Sequence, residues 1–331
     1  MKNVRVCNLT NLRPMYVKEI IYANTDENHF ITVNEILEIL DKSYGISSSR
    51  KTIYDDIELL VMSGLDIECV KGKNNSNHYH VLSRDFEVAE LRILMDSIES
   101  NRSIPLSKSQ VLIEKISRLA GPSSDYLLQD TCIDDRPRTA NPKVYYIIDT
   151  VYKAIVDRKQ IAFKYYEYFS ASKKVLKNKG EEYQVSPYRL VCCNDYYYML
   201  GYSEKHKKIT AFRVDRICGI PEELKKKCVK EPEDLYVDKF VKESFHMKTG
   251  DKAEIVLEFD SSVIDAMVDR FGQNLDITYI SKTKCRAKVD IQVNNVFFSW
   301  VFGFDGKVNI KGPSEIQDQY VRMVSREMAR L

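Results

Sequence analysis

Five consecutive residues, Ser48, Ser49, Arg50, Lys51 and Thr52, gather three hydroxyls, a guanidinium and an ammonium in one short stretch. All are donors suited to phosphate oxygens. They open an amphipathic run in which Ile53, Ile57, Leu60 and Val61 fall at i, i+4, i+7 and i+8, so they belong at the N-terminus of a helix. There, free backbone N–H groups and the positive end of the helix dipole add to the side chains' attraction for an anion. The opposite face of this helix carries Arg50, Lys51, Tyr54, Asp55 and Glu58. Downstream, LDIECVKGKNNSNHYHVL reads as two alternating strands around the basic turn GKNNSN, a hairpin whose Lys71 and Lys73 can reach a phosphate strand.

Other residue types that carry chemistry do not assemble into motifs. His78 and His80 share one face of the second hairpin strand without a third ligand nearby, so they read as strand-surface histidines. The eight cysteines, Cys7, Cys69, Cys132, Cys192, Cys193, Cys218, Cys228 and Cys285, show no CxxC and no His-Cys set. They read as reduced thiols of a cytosolic protein. The sequence holds no phosphate-cradling glycine loop, HExxH helix, GxSxG elbow or paired-carboxylate motif, and only 12 glycines. No enzyme, cofactor or metal is expected.

Helices must position the Ser48–Thr52 cluster. Pro14 suits the first turn of a helix over Arg13–Asn24, with Val17, Ile20, Ile21 and Asn24 on one side. Thr32 and Glu35 form a capping-box pair ahead of Val33, Ile36, Leu37 and Leu40. With the turn at Gly45, these make two helices and a tight turn before the Ser48–Thr52 helix. That layout sends the last helix into the major groove, with the hairpin as a wing. Residues 85–120 hold two further helical patterns broken at Ile104-Pro105, and Gly121–Asn141, rich in Pro, Ser and Asp, reads as a linker.

At 331 residues, with 44% apolar and 30% charged residues, the chain fits two or three globular domains. It has no run long enough to span a membrane and no leader-like N-terminus, so it is expected to stay in the cytoplasm. Its net charge of +2 is unevenly spread: Lys143–Cys228 holds 18 Lys plus Arg against 10 Asp plus Glu, whereas residues 1–82 hold 9 against 11. The middle of the chain is the expected seat of a polyanionic partner. There, an amphipathic helix with Ile147, Val151 and Ile155 precedes QIAFKYYEY, whose Ile161, Phe163 and Tyr165 alternate as a strand. YQVSPYRLVCC, DYYYMLGY and KITAFRVDRI follow as short strands of a small bent sheet or barrel.

The order helix, IAFKYYEY, VSPYRL, YYYMLGY and AFRVDRI resembles the WYL domain of bacterial transcriptional regulators, an Sm-like or SH3-like β-fold. Val185, Pro187 and the run Phe212, Arg213, Asp215, Arg216, Ile217 match closely; the name-giving Trp-Tyr-Leu falls on Tyr197, Tyr198 and Met199. SRKTIYDDIELLVMSG resembles the recognition helix of the same regulators, with Asp55 where many relatives have Arg, and RDFEVAELRILMDSIESNRSI resembles their bridging helices. The likeness implies a WYL domain that binds a nucleic-acid or nucleotide ligand and controls DNA binding. Arginine forks pair with phosphate and tyrosine faces stack on bases, so Lys164, Tyr165, Arg189, Tyr197, Arg213 and Arg216 are the candidate ligand residues. Strict alternation turns Arg213 away from Arg216, so at least one of them is expected to tie the fold together through Asp215 or Glu182.

The C-terminal third reads β-α-β-β-α-β, a ferredoxin-like α/β unit, with Trp300 in the buried face of its second helix. It resembles the extension that follows WYL domains, which implies a role in pairing subunits. The expectation is therefore a multidomain α+β chain: a winged helix-turn-helix over residues 1–84, a helical bridge and linker over 85–142, a WYL domain over 143–231 and an extension over 232–331. Its expected partners are operator DNA, a single-stranded nucleic acid or nucleotide effector, and a second copy of itself. The alternatives left open are an RNA- or single-strand-binding protein and a nuclease acting through scattered acids.

Overall fold

In a computed structural model of the chain, residues 12–129, 137–170, 173–233, 235–245, 247 and 250–330 are described. Cys7, Cys132 and part of the expected linker lie outside them. The chain divides into two units, Met1–Arg138 and Thr139–Leu331. No described helix is long and apolar enough to cross a membrane.

In the first unit Pro14 opens helix α1 (Arg13–Asn24), where its missing N–H leaves no bond unmade. Val17, Ile20 and Ile21 are buried as their spacing requires, but Asn24 is exposed and its amide turns back to donate to the Ile20 carbonyl at 2.7 Å. A two-residue strand β1 (Ile31–Thr32), too short to leave a periodic signal, leads into α2 (Val33–Tyr44). The Thr32 hydroxyl accepts from the Glu35 N–H, and the Glu35 carboxylate accepts from the Thr32 N–H at 2.7 Å. Gly45, at φ 65°, ends the helix in the left-handed region that side chains avoid. Helix α3 (Arg50–Met62) follows, then strands β2 (Ile67–Lys71) and β3 (Asn77–Val81) as an antiparallel hairpin. β1 joins it in the order β1-β3-β2. One core, including Val17, Ile36, Leu40, Ile53, Ile57 and Val81, holds the three helices to the sheet.

Helices α4 (Val88–Ser100) and α5 (Leu106–Ser117) meet across Leu91, Met95 and Ile113 after the expected corner at Pro105. The polar stretch read as a linker is partly ordered into this cluster. Residues 118–123 make a tight turn, and Ser124–Gln129 form helix α6, whose Leu127 is 2% exposed. One buried leucine at about 1.5–3 kcal/mol outweighs the weak propensity of its Ser and Asp neighbours.

In the second unit α7 (Val144–Val156) lays Val144, Ile147, Val151 and Ala154 against a bent antiparallel sheet. Its strands are β4 (Lys159–Tyr168), β5 (Lys174–Leu176), β6 (Tyr183–Cys193), β7 (Tyr196–Ser203), β8 (Lys208–Arg213) and β9 (Ile217–Lys227). The order is β9-β4-β6-β7-β8, with β5 also on β4. Register shifts bend the sheet between Lys159 and Lys164 on β4 and between Pro187 and Arg189 on β6. Opposite Pro187 stands Gly201, where an added Cβ would lie 2.5 Å from the Ser186 carbonyl oxygen. The bend therefore needs a glycine at position 201.

Helix α8 (Val237–Glu243) puts Phe240 against Tyr198 and Leu200 of β7. It is followed by β10 (Asp251–Asp260), α9 (Ile264–Phe271), β11 (Ile277–Tyr279), β12 (Lys284–Val293), α10 (Asn295–Phe302), β13 (Val308–Gly312) and α11 (Ser314–Met328). This is the expected β-α-β-β-α-β order, in an antiparallel sheet β11-β12-β10-β13. Alternate residues of β10 and β12, such as Leu257, Phe259, Cys285 and Ala287, meet Phe297, Phe298 and Val301 of α10. Trp300 packs edge-on against Phe271 and Phe304 at ring-centre distances of 5.6 and 4.9 Å.

Candidate nucleic-acid and ligand sites

The first candidate site is the start of α3. Ser49 is its N-cap: the side chain accepts from the Thr52 N–H at 3.2 Å and bonds the Thr52 hydroxyl at 2.7 Å. Two of the five expected donors thus fix the helix start as well as face outward. Arg50 and Lys51, in the first turn, are exposed, and Ser48 lies half-buried just before it. Tyr54, Asp55 and Glu58 share the exposed side, with the Tyr54 ring 6.4 Å from Tyr79 of β3. That contact seats α3 beside the hairpin, whose Lys71 and Lys73 are both exposed. The Lys71 ammonium already donates to the Asn77 side chain at 2.6 Å, so Lys73 is the less encumbered of the two.

Asp56, which the sequence reading did not single out, anchors this helix from behind. It is 5% exposed and accepts two bonds from Arg13 of α1, at 2.6 and 3.1 Å. The bond to Asp56 holds the Arg13 guanidinium above its ordinary pKa against the opposing effect of burial. The signal was an acidic residue in register with Ile53, Ile57 and Leu60, on the apolar face of α3.

One of the two wing histidines differs from expectation. His80 is 4% exposed, not at the surface, with its ring nitrogens 3.2 Å from the Asp26 carbonyl and 3.1 Å from the Glu68 carboxylate. The Phe30 ring, just ahead of β1, lies 4.5 Å from it and covers that edge of the hairpin. His78 lies 3.0 Å from the Ser76 hydroxyl. Among the described residues no group of three or more His, Cys, Asp or Glu could hold a metal ion.

The second candidate site surrounds the tight turn Val214–Arg216 between β8 and β9. Arg213 forks onto Asp215, with Nε–Oδ1 at 3.0 Å and a second bond at 2.8 Å. Its guanidinium also covers the Tyr196 ring at 3.3 Å from the ring centre. Burial works against its charge, but the Asp215 carboxylate wins and its pKa stands above the ordinary value. Arg213 is therefore the arginine that ties the fold together, and the tight turn rather than strand alternation sets it apart from Arg216. Arg216 points elsewhere, over the Tyr168 ring at 5.8 Å, and among the described residues its buried Nε has no hydrogen-bond partner.

Tyr165 is not available for stacking. It is 9% exposed, ringed by Phe163, Tyr183 and Phe212, and its hydroxyl accepts from the Arg213 N–H at 2.9 Å. Burial raises the pKa of that hydroxyl. A tyrosine expected at a ligand surface is instead a core residue, because it alternates with Ile161 and Phe163 on the buried face of β4. Tyr197 likewise packs half-buried against the core beside Met199, which is 0% exposed, whereas Tyr198 turns to the α8 side. Lys164 is exposed on β4. Arg189 is tied at 3.1 Å to Glu231 and at 2.8 Å to the Tyr188 carbonyl. The structure brings Tyr165, Arg213 and Arg216 together around Asp215. Tyr168 and Tyr196, the rings under the two arginines, were missed because nothing in their spacing separates them from neighbouring tyrosines.

Residues 146–220 match the family model described as the WYL domain. A search of curated proteins returns no match. Among solved structures, proteasome accessory factor B/C (PafBC) of Arthrobacter aurescens is 16% identical over 93% of this chain and 47% of its own, with a TM-score of 0.31. This chain thus spans about half the length of that protein. A CRISPR Cas-related protein is 17% identical over 98% of this chain and 80% of its own, with a TM-score of 0.39. Strands β4 to β8, the Pro187–Gly201 corner and the Arg213–Asp215 turn all fall inside the matched span, and the chain is a WYL-domain-containing protein.

Proposed function

We propose that this protein is a cytoplasmic DNA-binding transcriptional regulator rather than an enzyme. In this reading residues 1–84 are a winged helix-turn-helix, 85–142 a bridge, 143–231 an Sm-like WYL sensor and 232–331 a ferredoxin-like extension that pairs subunits. The observation that carries it is the exposed N-terminal turn of α3 with Arg50 and Lys51, on a helix whose Tyr54 meets Tyr79 of the hairpin that bears Lys71 and Lys73. Helix start and wing together span a groove and its flanking phosphates. Asp56 and Arg13 fix the helix from the far side, so the face presented is rigid.

The sensor half rests on Arg216, whose guanidinium lies 5.8 Å from the centre of the exposed Tyr168 ring, with Lys164 exposed on the same strand as that tyrosine. A single-stranded nucleic acid or nucleotide fits that pairing of guanidinium and ring. It can change operator binding only by preferring one arrangement of the dimer.

The test is genomic selection of the operator followed by affinity measurements on Arg50→Ala with Lys51→Ala. Each lost contact should cost about 1–3 kcal/mol with the unfolding midpoint unchanged. Wild-type affinity in the folded double variant, or a monomer by light scattering with and without DNA, would remove this reading.

A further inference from the structure

The excess positive charge of the middle of the chain does not collect at Arg213. It collects at the other end of the same sheet. β7 and β8 pair Tyr198 with Arg213 at one end and Ser203 with Lys208 at the other, five residues or about 17 Å away. At the Lys208 end three segments converge. Lys207, from the β7–β8 turn, and Lys226, from β9, bond the same Glu204 carboxylate at 3.1 and 3.0 Å. Lys205, in that turn, bonds Glu181 at 2.5 Å and stands 5.5 Å from the centre of the Tyr183 ring. Asn178, in the turn Lys177–Gly180, donates to the Tyr183 hydroxyl, bringing Lys177 and Lys179 to the same place. His206 lies among them, its ring 5.9 Å from that of Tyr183.

We propose that this end of the WYL domain, formed by Lys177, Lys179, Lys205, Lys207, Lys208 and Lys226 around His206, is a docking surface for the phosphate backbone of nucleic acid. It is separate from the arginine turn and does not depend on the reading of α3. The carboxylates nearby are Glu181 and Glu204, both already bonded to lysines, with Glu167 beside Tyr183 and Glu182 next in sequence. Among the described residues no carboxylate is bonded to Lys177, Lys179 or Lys208, and all three are exposed. Lysines act on phosphates as mobile point charges and need no fixed register, which suits backbone contact rather than base reading. Tyr183, the ring at its centre, is 1% exposed and so gives the patch no apolar anchor of the kind a protein hot spot or a membrane needs.

His206 gives the surface a proton linkage. Burial first, then the charges of Lys177, Lys205 and Lys208, lower its pKa from the ordinary 6.5. Its neighbours on the other elements are Tyr183 on β6, with Glu181 on Lys205, and Glu204 on Lys207 and Lys226. Phosphates that neutralise the lysines relieve that repulsion and raise the His206 pKa. A proton is then taken up on binding, and affinity rises as pH falls toward the ring's titration.

The experiment uses the full chain carrying Arg50→Ala and Lys51→Ala, so that α3 does not dominate. A labelled oligothymidylate, a random duplex and polyglutamate are the probes. Adding Lys177→Gln and Lys208→Gln should weaken oligonucleotide binding about five- to tenfold and flatten the log–log salt dependence by about 1.5, the share of two phosphate contacts. Saturating oligonucleotide should raise the midpoint of the His206 ring resonance in the chain with its lysines intact, a readout that no lysine substitution can confound. An unchanged salt slope in the lysine variant, an unmoved His206 midpoint, or polyglutamate binding as tightly as the oligonucleotide would each overturn the proposal. Loss of operator binding on removing Arg50 and Lys51 alone bears on α3 and leaves this surface standing.

Discussion

Arg213 and Asp215 are joined by two hydrogen bonds across the tight turn between β8 and β9, with 18% and 7% of their side chains exposed. Asp215 accepts both bonds, so removing Arg213 strands a buried carboxylate. Arg213→Ala should destabilise the protein by about 3 kcal/mol, and Arg213→Ala with Asp215→Ala by less than the sum of the two single variants. Denaturant unfolding of the three variants measures this. Additive losses would mean that the pair is not the structural unit its geometry indicates.

Gly201 faces Pro187 where β6 bends over β7. A Cβ on Gly201 would lie 2.5 Å from the Ser186 carbonyl oxygen and 2.7 Å from Val185. Backbone cannot withdraw as a flexible side chain can, so Gly201→Ala should cost about 2 kcal/mol or more. A thermal melt of the variant within a degree of wild type would show that the bend tolerates a methyl group.

These two sites show what the sequence made legible. Pro187, Gly201, Arg213 and Asp215 sit in short motifs whose residue types are constrained by backbone contact or by a turn, and such constraints leave a readable trace. Element order was legible for the same reason: the alternation of Ile161, Phe163 and Tyr165 and the helical spacing of Ile53, Ile57 and Leu60 are set by burial. What was not legible depends on pairing between distant segments. β1 is two residues long, and His80 is met by Asp26 and the Phe30 ring, both ahead of that strand and far from His80 in sequence. Lys177, Lys205 and Lys226 lie far apart in sequence and meet only when β6, β7 and β9 are in register. Their charge could be counted in the sequence, but not located.

Glu204 makes acid sensitivity testable. Its carboxylate accepts from Lys226, Lys207 and Gln160 at 3.0, 3.1 and 3.2 Å, which holds its pKa at about 2 against an ordinary 4.5. A carboxyl depressed in the folded state contributes stability above its unfolded pKa and loses it as pH falls from about 4.5 toward 2. The thermal midpoint of wild type should therefore exceed that of Glu204→Gln near neutrality, and the gap should close through that window. His206, with its pKa lowered on folding, acts in the same direction but from about 6.5 downward. A gap that stays constant to low pH would mean that the three donors do not hold Glu204 ionised.

Arg84 and Gly121 provide the remaining test, inside the first unit. The Arg84 guanidinium donates to the carbonyls of Tyr22 at 2.5 Å, Thr25 at 2.6 Å and Leu119 at 3.1 Å. It thus joins the end of α1 to the turn that follows α5. Burial lowers its pKa, yet three carbonyls and the Tyr22 ring at 5.4 Å receive the charge. Gly121 makes room for it. A Cβ there would lie 2.3 Å from an Arg84 nitrogen and 2.7 Å from the Tyr22 carbonyl oxygen, on a residue whose φ is 62°. Gly121→Ala therefore adds left-handed strain to a clash with backbone, and should cost about 2 kcal/mol or more. Arg84→Lys keeps the charge but supplies a single nitrogen in place of a fork, so it cannot bond all three carbonyls at once. If the clasp acts as one unit, the two substitutions together should cost less than their sum, because each already breaks the same junction. Hydrogen exchange at α1 and α5 in each variant reads the junction directly. Faster exchange confined to the vicinity of residue 121, with α1 protected as in wild type, would show that Arg84 does not couple the two segments.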